Sequence, residues 1–359
     1  GWSARGGQCR NPYVLDHNPC GSSSGSAVAA SANLVALTIG TETSGSIMCP
    51  SSMNGVVGLK PTVGLWSRSG IIPISHVQDT AGPLGRSVAD VAALLGPLTG
   101  VDDADKTTAA SQGRRYDDYV QFLDADRLRG ARIGVARRIS TFDPRVMELF
   151  DRAIGTMAAA GAVIVDPVEV ADGAWNSDDR LAVMEYEFKA DLNAYLSSLG
   201  PEAPVRSLAD IIDFNERHAH QELVHFGQER LTCAQARGPL TDSAYVEGRA
   251  AMMRSSREDG IDALVSEHQL DAVVAPTTDL PWPTDHENGD PGTGGSSAGL
   301  AAVAGYPSIS VPMGFVGQLP VGVSIFGPAW SEPTLLSLAF GYEQVSNHRQ
   351  PPTFVQTLG

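Results

Sequence analysis

Lysine is almost missing from this chain. Of 359 residues only Lys60, Lys106 and Lys189 are lysines, and 25 basic residues face 41 acidic ones for a formal net charge of −16. Nucleic acid and anionic membrane surfaces both require a basic face, so neither is expected as a partner. No apolar run approaches the ~20 residues of a membrane helix. Cysteine is sparse too. Cys9, Cys20, Cys49 and Cys233 show no CxxC spacing, which argues against a metal site. Four scattered thiols do not make the pattern of a disulfide scaffold either, and all are expected to be buried and free. None of the eight histidines sits in a triad motif, and no GxSxG elbow exists, because Gly45-Ser46 is followed by Ile47-Met48.

With 42% hydrophobic and 18% charged residues, the chain has the composition of one large globular α/β domain. Its chemistry concentrates in Cys20–Pro50. Two loops of small residues lie there, Gly21-Ser22-Ser23-Ser24-Gly25-Ser26 and Gly40-Thr41-Glu42-Thr43-Ser44-Gly45-Ser46. Between them Ala27–Ile39 is apolar except for Ser31, Asn33 and Thr38, which suits a short buried helix followed by a strand. That path returns both loops to one end of the core, where their hydroxyls can meet. The small residues Ser44 and Gly45 let the N–H groups of Thr43, Ser44, Gly45 and Ser46 point at a developing oxyanion. A phosphate cradle would want Gly-Lys-Ser/Thr opening a helix, and no lysine stands here.

These loops resemble those of the amidase signature family of serine hydrolases. Ser22 and Ser46 stand 24 positions apart, the family's spacing between its two serines. The stretches Asn54-Gly55-Val56-Val57-Gly58-Leu59-Lys60-Pro61-Thr62 and Gln78-Asp79-Thr80-Ala81-Gly82-Pro83 also fit, as do AGLAAVAGYPSISVPMGF and LPVGVSIFGP near the C-terminus. The likeness is strong over residues 1–100, good over 271–344 and loose between. GGQCRNPYVLDHNPCGSSSGS and GTETSGSIMCP look most like the bacterial peptide amidases, which hydrolyse C-terminal carboxamides.

The resemblance implies a mixed β-sheet covered by helices on both faces. It implies Ser46 as nucleophile, Ser22 (held through a cis peptide in the family) as proton relay, and a buried neutral lysine as base. Thr43, Ser44 and Gly45 would form the oxyanion hole, with no metal and no organic cofactor. The substrate would be a small-molecule or peptide amide. Two departures stand out. Met48 occupies a place where the family often has a basic residue. The family's lysine lies several tens of residues before the first serine, yet no lysine precedes Ser22 here. Lys60 belongs to the Gly-Leu-Lys-Pro motif of the fold, and Lys106 and Lys189 fall in variable regions. The chain opens Gly1-Trp2-Ser3 without an initiator methionine and reads as the interior of a longer polypeptide. Other readings remain open: the glutaminase subunit of a tRNA amidotransferase, or a homologue that binds amides without catalysis.

Elsewhere the pattern predicts strands over 33–39, 132–136, 163–165, 271–275, 308–312 and 321–326. Helices are predicted over 87–98, capped by Ser87, over 144–160, ended by Gly161, and over 332–345. Residues 132–165 read as a β-α-β unit and 100–128 as a surface excursion. Residues 178–268 read as a helical, substrate-side insertion within the single domain.

Overall fold

The computed structural model describes every residue except 172, 174, 176, 177, 292, 293 and 359. Ten strands are formed: β1 (Trp2–Ser3), β2 (Gly7–Gln8), β3 (Leu37–Glu42), β4 (Val57–Lys60), β5 (Thr80–Gly85), β6 (Arg132–Val135), β7 (Val163–Val165), β8 (Ala272–Pro276), β9 (Ser308–Val316) and β10 (Leu319–Phe326). The first two make a small separate hairpin. The other eight form one sheet in the order β3-β5-β4-β9-β10-β8-β6-β7. Pairing is antiparallel from β3 through to β8 and parallel where β6 meets β7 and β8. The chain therefore has the mixed sheet of an α/β fold.

The sheet centre is made of strands with little polar character. Ala272, Val273, Val274 and Ala275 on β8 and Val321, Val323 and Ile325 on β10 are all buried. Runs without alternation are what a strand covered on both sides requires. Helices Met48–Met53, Pro144–Ala159 and Glu332–Ser346 pack on β9 and β10. In Pro144–Ala159 the residues Val146, Leu149, Phe150, Ile154 and Met157 are buried, the stripe expected from their spacing. Asp143 caps it by accepting from Arg145 N, and Gly161 leaves it at φ +98°, a left-handed conformation that favours glycine. Helix Val88–Leu95 starts at Ser87, in a reciprocal capping box with Asp90.

Two boundaries differ from the sequence reading. The strand expected over 33–39 is Leu37–Glu42. Asn33 takes a left-handed φ of +62° and Leu34 is 74% exposed, so the chain turns there before it extends. The stretch 100–128 is more than an excursion. It folds into 3₁₀ turns Lys106–Ser111 and Val120–Phe122 and buries Thr108, Ser111, Tyr119 and Leu128. Over 178–268 the chain is helical as predicted, beginning with Asp178–Ser198 and breaking at Gly200 and Pro201. Among the described residues no helix is long and apolar enough to cross a membrane.

Candidate active site

The two small-residue loops meet at one end of the sheet. Helix Ser24–Ser31 follows the first loop, and β3 leads into the second. Ser23 joins them. Its N–H donates to Ser46 O at 3.2 Å, its hydroxyl donates to Thr41 O at 2.9 Å, and the same oxygen accepts from Thr41 N at 3.0 Å. A second clasp forms lower down, with Ser26 Oγ donating to Ile39 O and Thr38 Oγ1 donating to Ser26 O. These serines satisfy the backbone of a neighbouring segment where no ladder partner exists. Gly40 is required by this closeness, since a Cβ there would come within 2.8 Å of both Leu84 and Ser23.

Ser22 is exposed and follows a cis Gly21–Ser22 peptide. Ser46 is half-buried one residue after Gly45, whose φ of +107° lies in the region that favours glycine. The N–H groups of Ser44, Gly45 and Ser46 have no hydrogen-bonded acceptor among the described residues, and that of Gly45 leans toward the Glu42 carboxylate. Glu42 is buried beneath this turn. Its Oε2 accepts from Ile47 N at 2.8 Å and Met48 N at 3.0 Å, holding the two residues that follow Ser46. Thr43 is anchored separately by donating its hydroxyl to Asp79 Oδ1 at 2.5 Å, while Asp79 Oδ2 accepts from Ile74 N and Ser75 N. Burial raises the Asp79 carboxyl above the ordinary range.

The thiols at these loops are not free. Cys20 and Cys49 form a disulfide, with their Cα atoms 5.9 Å apart. The expectation of four free thiols holds only for Cys9 and Cys233, and Cys233 is exposed. No local cue marks this bond, because 29 residues separate the partners and only folding of the helix–strand return brings them together. The bond ties the loop before Ser22 to the helix after Ser46. Loss of Cys49 to serine should lower unfolding free energy by about 2–4 kcal/mol, from the chain-entropy estimate for such a loop. Chemical denaturation checks this: a reductant should shift the parent midpoint to that of Cys49→Ser and leave the variant unmoved.

None of the three lysines is bonded to either serine. Lys60 is fully buried on β4 and donates to Pro61 O at 3.0 Å. Burial lowers its pKa to about 8, against the opposing pull of Glu42 and Glu332. Burial likewise raises both carboxyls, Glu332 being held by Thr62 N at 2.7 Å. Lys189 donates to Gln235 O and Arg237 O, and Lys106 is exposed. Among the described residues no histidine is hydrogen-bonded to Ser22 or Ser46, and no group of His, Cys, Asp and Glu is placed to hold a metal.

A cleft of about 360 Å³ opens beside the loops, lined by Gly21, Ser44, Gly45, the disulfide, Trp175 and Arg180. Arg180, at the start of Asp178–Ser198, donates to Ser44 Oγ at 2.5 Å. Burial lowers the pKa of its guanidinium. Sequence reasoning missed this residue, because a lone arginine some 130 positions downstream carries no motif. Glu42 and Asp79 lie inside recognisable motifs, yet nothing in their spacing marks them as anchors of the turn.

Known proteins share this arrangement. The family model described as Amidase matches residues 3–336. The chain is 41% identical over 363 residues to a probable amidase of Arabidopsis thaliana, covering 99% of this chain and 65% of that protein. It is 32% identical to a glutamyl-tRNA(Gln) amidotransferase subunit of Pseudomonas entomophila, covering 98% and 72%. The crystal structure of native peptide amidase from Stenotrophomonas maltophilia superposes with a TM-score of 0.92 at 52% identity, over 99% of this chain and 71% of that one. The chain thus spans less than two thirds of the length of the plant relative. On the motif match, the paired serine loops and these likenesses, the chain belongs to the amidase signature family.

Proposed function

We propose that this chain forms the serine-bearing body of an amidase that hydrolyses a carboxamide, the C-terminal amide of a peptide or a similar amide. The observation that carries the reading is the clasped pair of loops that presents Ser22, after its cis peptide, beside the Ser46 turn. Ser46 attacks the amide carbon and Ser22 relays its proton. The N–H groups of Thr43, Ser44 and Gly45 receive the oxyanion, with the Gly45 donor shared with Glu42. Such fixed donors contribute roughly 3–4 kcal/mol in other acyl-transfer enzymes. The acyl-enzyme on Ser46 is then released by water. The likeness to a peptide amidase supports the carboxamide class, and residues 178–268 are read as substrate-side because Arg180 lines the same cleft. No metal or organic cofactor takes part in this reading. The likeness to an amidotransferase subunit keeps a glutaminase role as the second reading, one that requires partner subunits.

The base in this mechanism is a lysine supplied by residues outside this chain, since Lys60, Lys106 and Lys189 are each engaged or placed elsewhere. General-base help contributes ~10²–10⁴-fold. Residues 1–359 alone should therefore release ammonia from a peptide carboxamide more slowly than the full-length protein by about that factor. Equal turnover would place the base within the chain, with Lys60 first to mutate. No carboxamide hydrolysis by the full-length protein would reject the substrate class.

A further inference from the structure

A second cleft, about 520 Å³, is lined by none of the residues of the serine cleft. His76, Arg114, Arg249, Arg257, Tyr306 and Trp330 converge on it. Three elements far apart in sequence bring the arginines together: the turn after Lys106–Ser111, the helix Ser243–Ser256, and the π-helical segment that follows it. In a protein of net charge −16 a gathering of this kind runs against the background.

Arginines elsewhere sit on carboxylates, as Arg68 does on Asp105 and Arg237 on Glu185. Among the described residues none of these three has a carboxylate within ion-pair distance. Arg249 instead feels like-charge repulsion from both His76 and Arg257. The nearby acids are occupied or set back. Asp191 is 2.9 Å from His76 Nδ1, Glu187 lies behind that ring and accepts from Tyr245, and Asp262 accepts from Tyr306. Glu258 reaches Arg257 only as a distant charge.

The guanidinium groups are also held in place. Arg114 lies 5.4 Å over the Trp330 ring and Arg257 lies 5.6 Å over Tyr306, while Arg257 Nε donates to Ala304 O at 2.7 Å. Stacking fixes each plane and leaves the remaining N–H donors facing the cleft. Like charges held together without counter-charge are stabilised when a ligand supplies it.

We propose that this cleft is a binding site for a small, multiply charged oxyanion, either a phosphorylated molecule or a polycarboxylate, gripped by Arg114, Arg249 and Arg257. The site does not depend on the catalytic reading. Its test is calorimetric titration of the full-length protein at low salt with two probes, inorganic pyrophosphate and citrate, with acetate as the singly charged control. Pyrophosphate, citrate or both should bind one to one, and acetate should not. Which probe binds more tightly identifies the source class. Arg114→Ala with Arg249→Ala, both exposed and free of structural bonds, should weaken binding roughly tenfold or more while leaving the thermal midpoint unchanged. Binding should also fall steeply with added salt. Absence of binding by both probes, or binding that is equally tight in the double variant, would overturn the site.

Discussion

Replacing Ser46 with alanine in the full-length protein should remove turnover of a peptide carboxamide almost completely, by a factor on the order of 10³ or more. A serine nucleophile has no substitute in this turn, because its neighbours Gly45 and Ile47 carry no hydroxyl. A serine-reactive fluorophosphonate should label the parent at Ser46 and fail to label the variant. Ser22→Ala should lose most turnover as well, yet leave the fold intact, because Ser22 is exposed and bears no packing. The two losses should not add, since a relay has nothing to relay once the nucleophile is gone. Labelling that persists unchanged in Ser46→Ala would sink the assignment. An acyl group trapped on Ser22 would reverse the two roles.

The second large effect concerns stability. Glu42→Ala strips the acceptor from Ile47 N–H and Met48 N–H and takes one of two counter-charges from buried Lys60. Removing one partner from a buried charged set typically costs about 3–5 kcal/mol, because the remaining charge stays desolvated. Glu42→Gln keeps an accepting oxygen for the two N–H groups and should lose less. Lys60→Met combined with Glu42→Gln should be less damaging than the sum of the two alone, which is the signature of coupled groups. Urea unfolding measures all of these. A Glu42→Ala midpoint indistinguishable from the parent would show that the carboxylate does not hold the turn. The reacting loop would gain in mobility with every lost contact, so turnover should fall in the same order as stability.

The parts of the fold that are legible in the sequence are the parts written locally. Ser87 with Asp90 spells a capping box within four residues, and the apolar stripe of Pro144–Ala159 declares its own buried face. The two serine loops are equally plain, each a run of small residues at a telling distance from the other. What stays hidden depends on distance in sequence. The Cys20–Cys49 bond exists because the helix and strand between them double back, and neither cysteine has a neighbour that advertises it. Arg180 reaches Ser44 from another region altogether. The start of β3 eludes pattern reading because apolarity marks Leu34 and Val35 as strand-like, whereas the left-handed Asn33 holds them in a turn at the surface.

The position of β4 has a consequence for how the molecule is made. Its neighbours are β5, close in sequence, and β9, where Gly58 pairs with Ser310 and Lys60 with Ser308. The seat of both serine loops thus lacks one wall until residues near 310 have left the ribosome. At roughly 5–20 residues per second, the ~250 residues between occupy about 10–50 s. During that interval the edge of β4 is an open template for unwanted pairing. A nascent chain halted before β9 should be held by chaperones or lost to aggregation, and synthesis slowed over residues 100–300 should lower the yield of soluble protein more than slowing after residue 330.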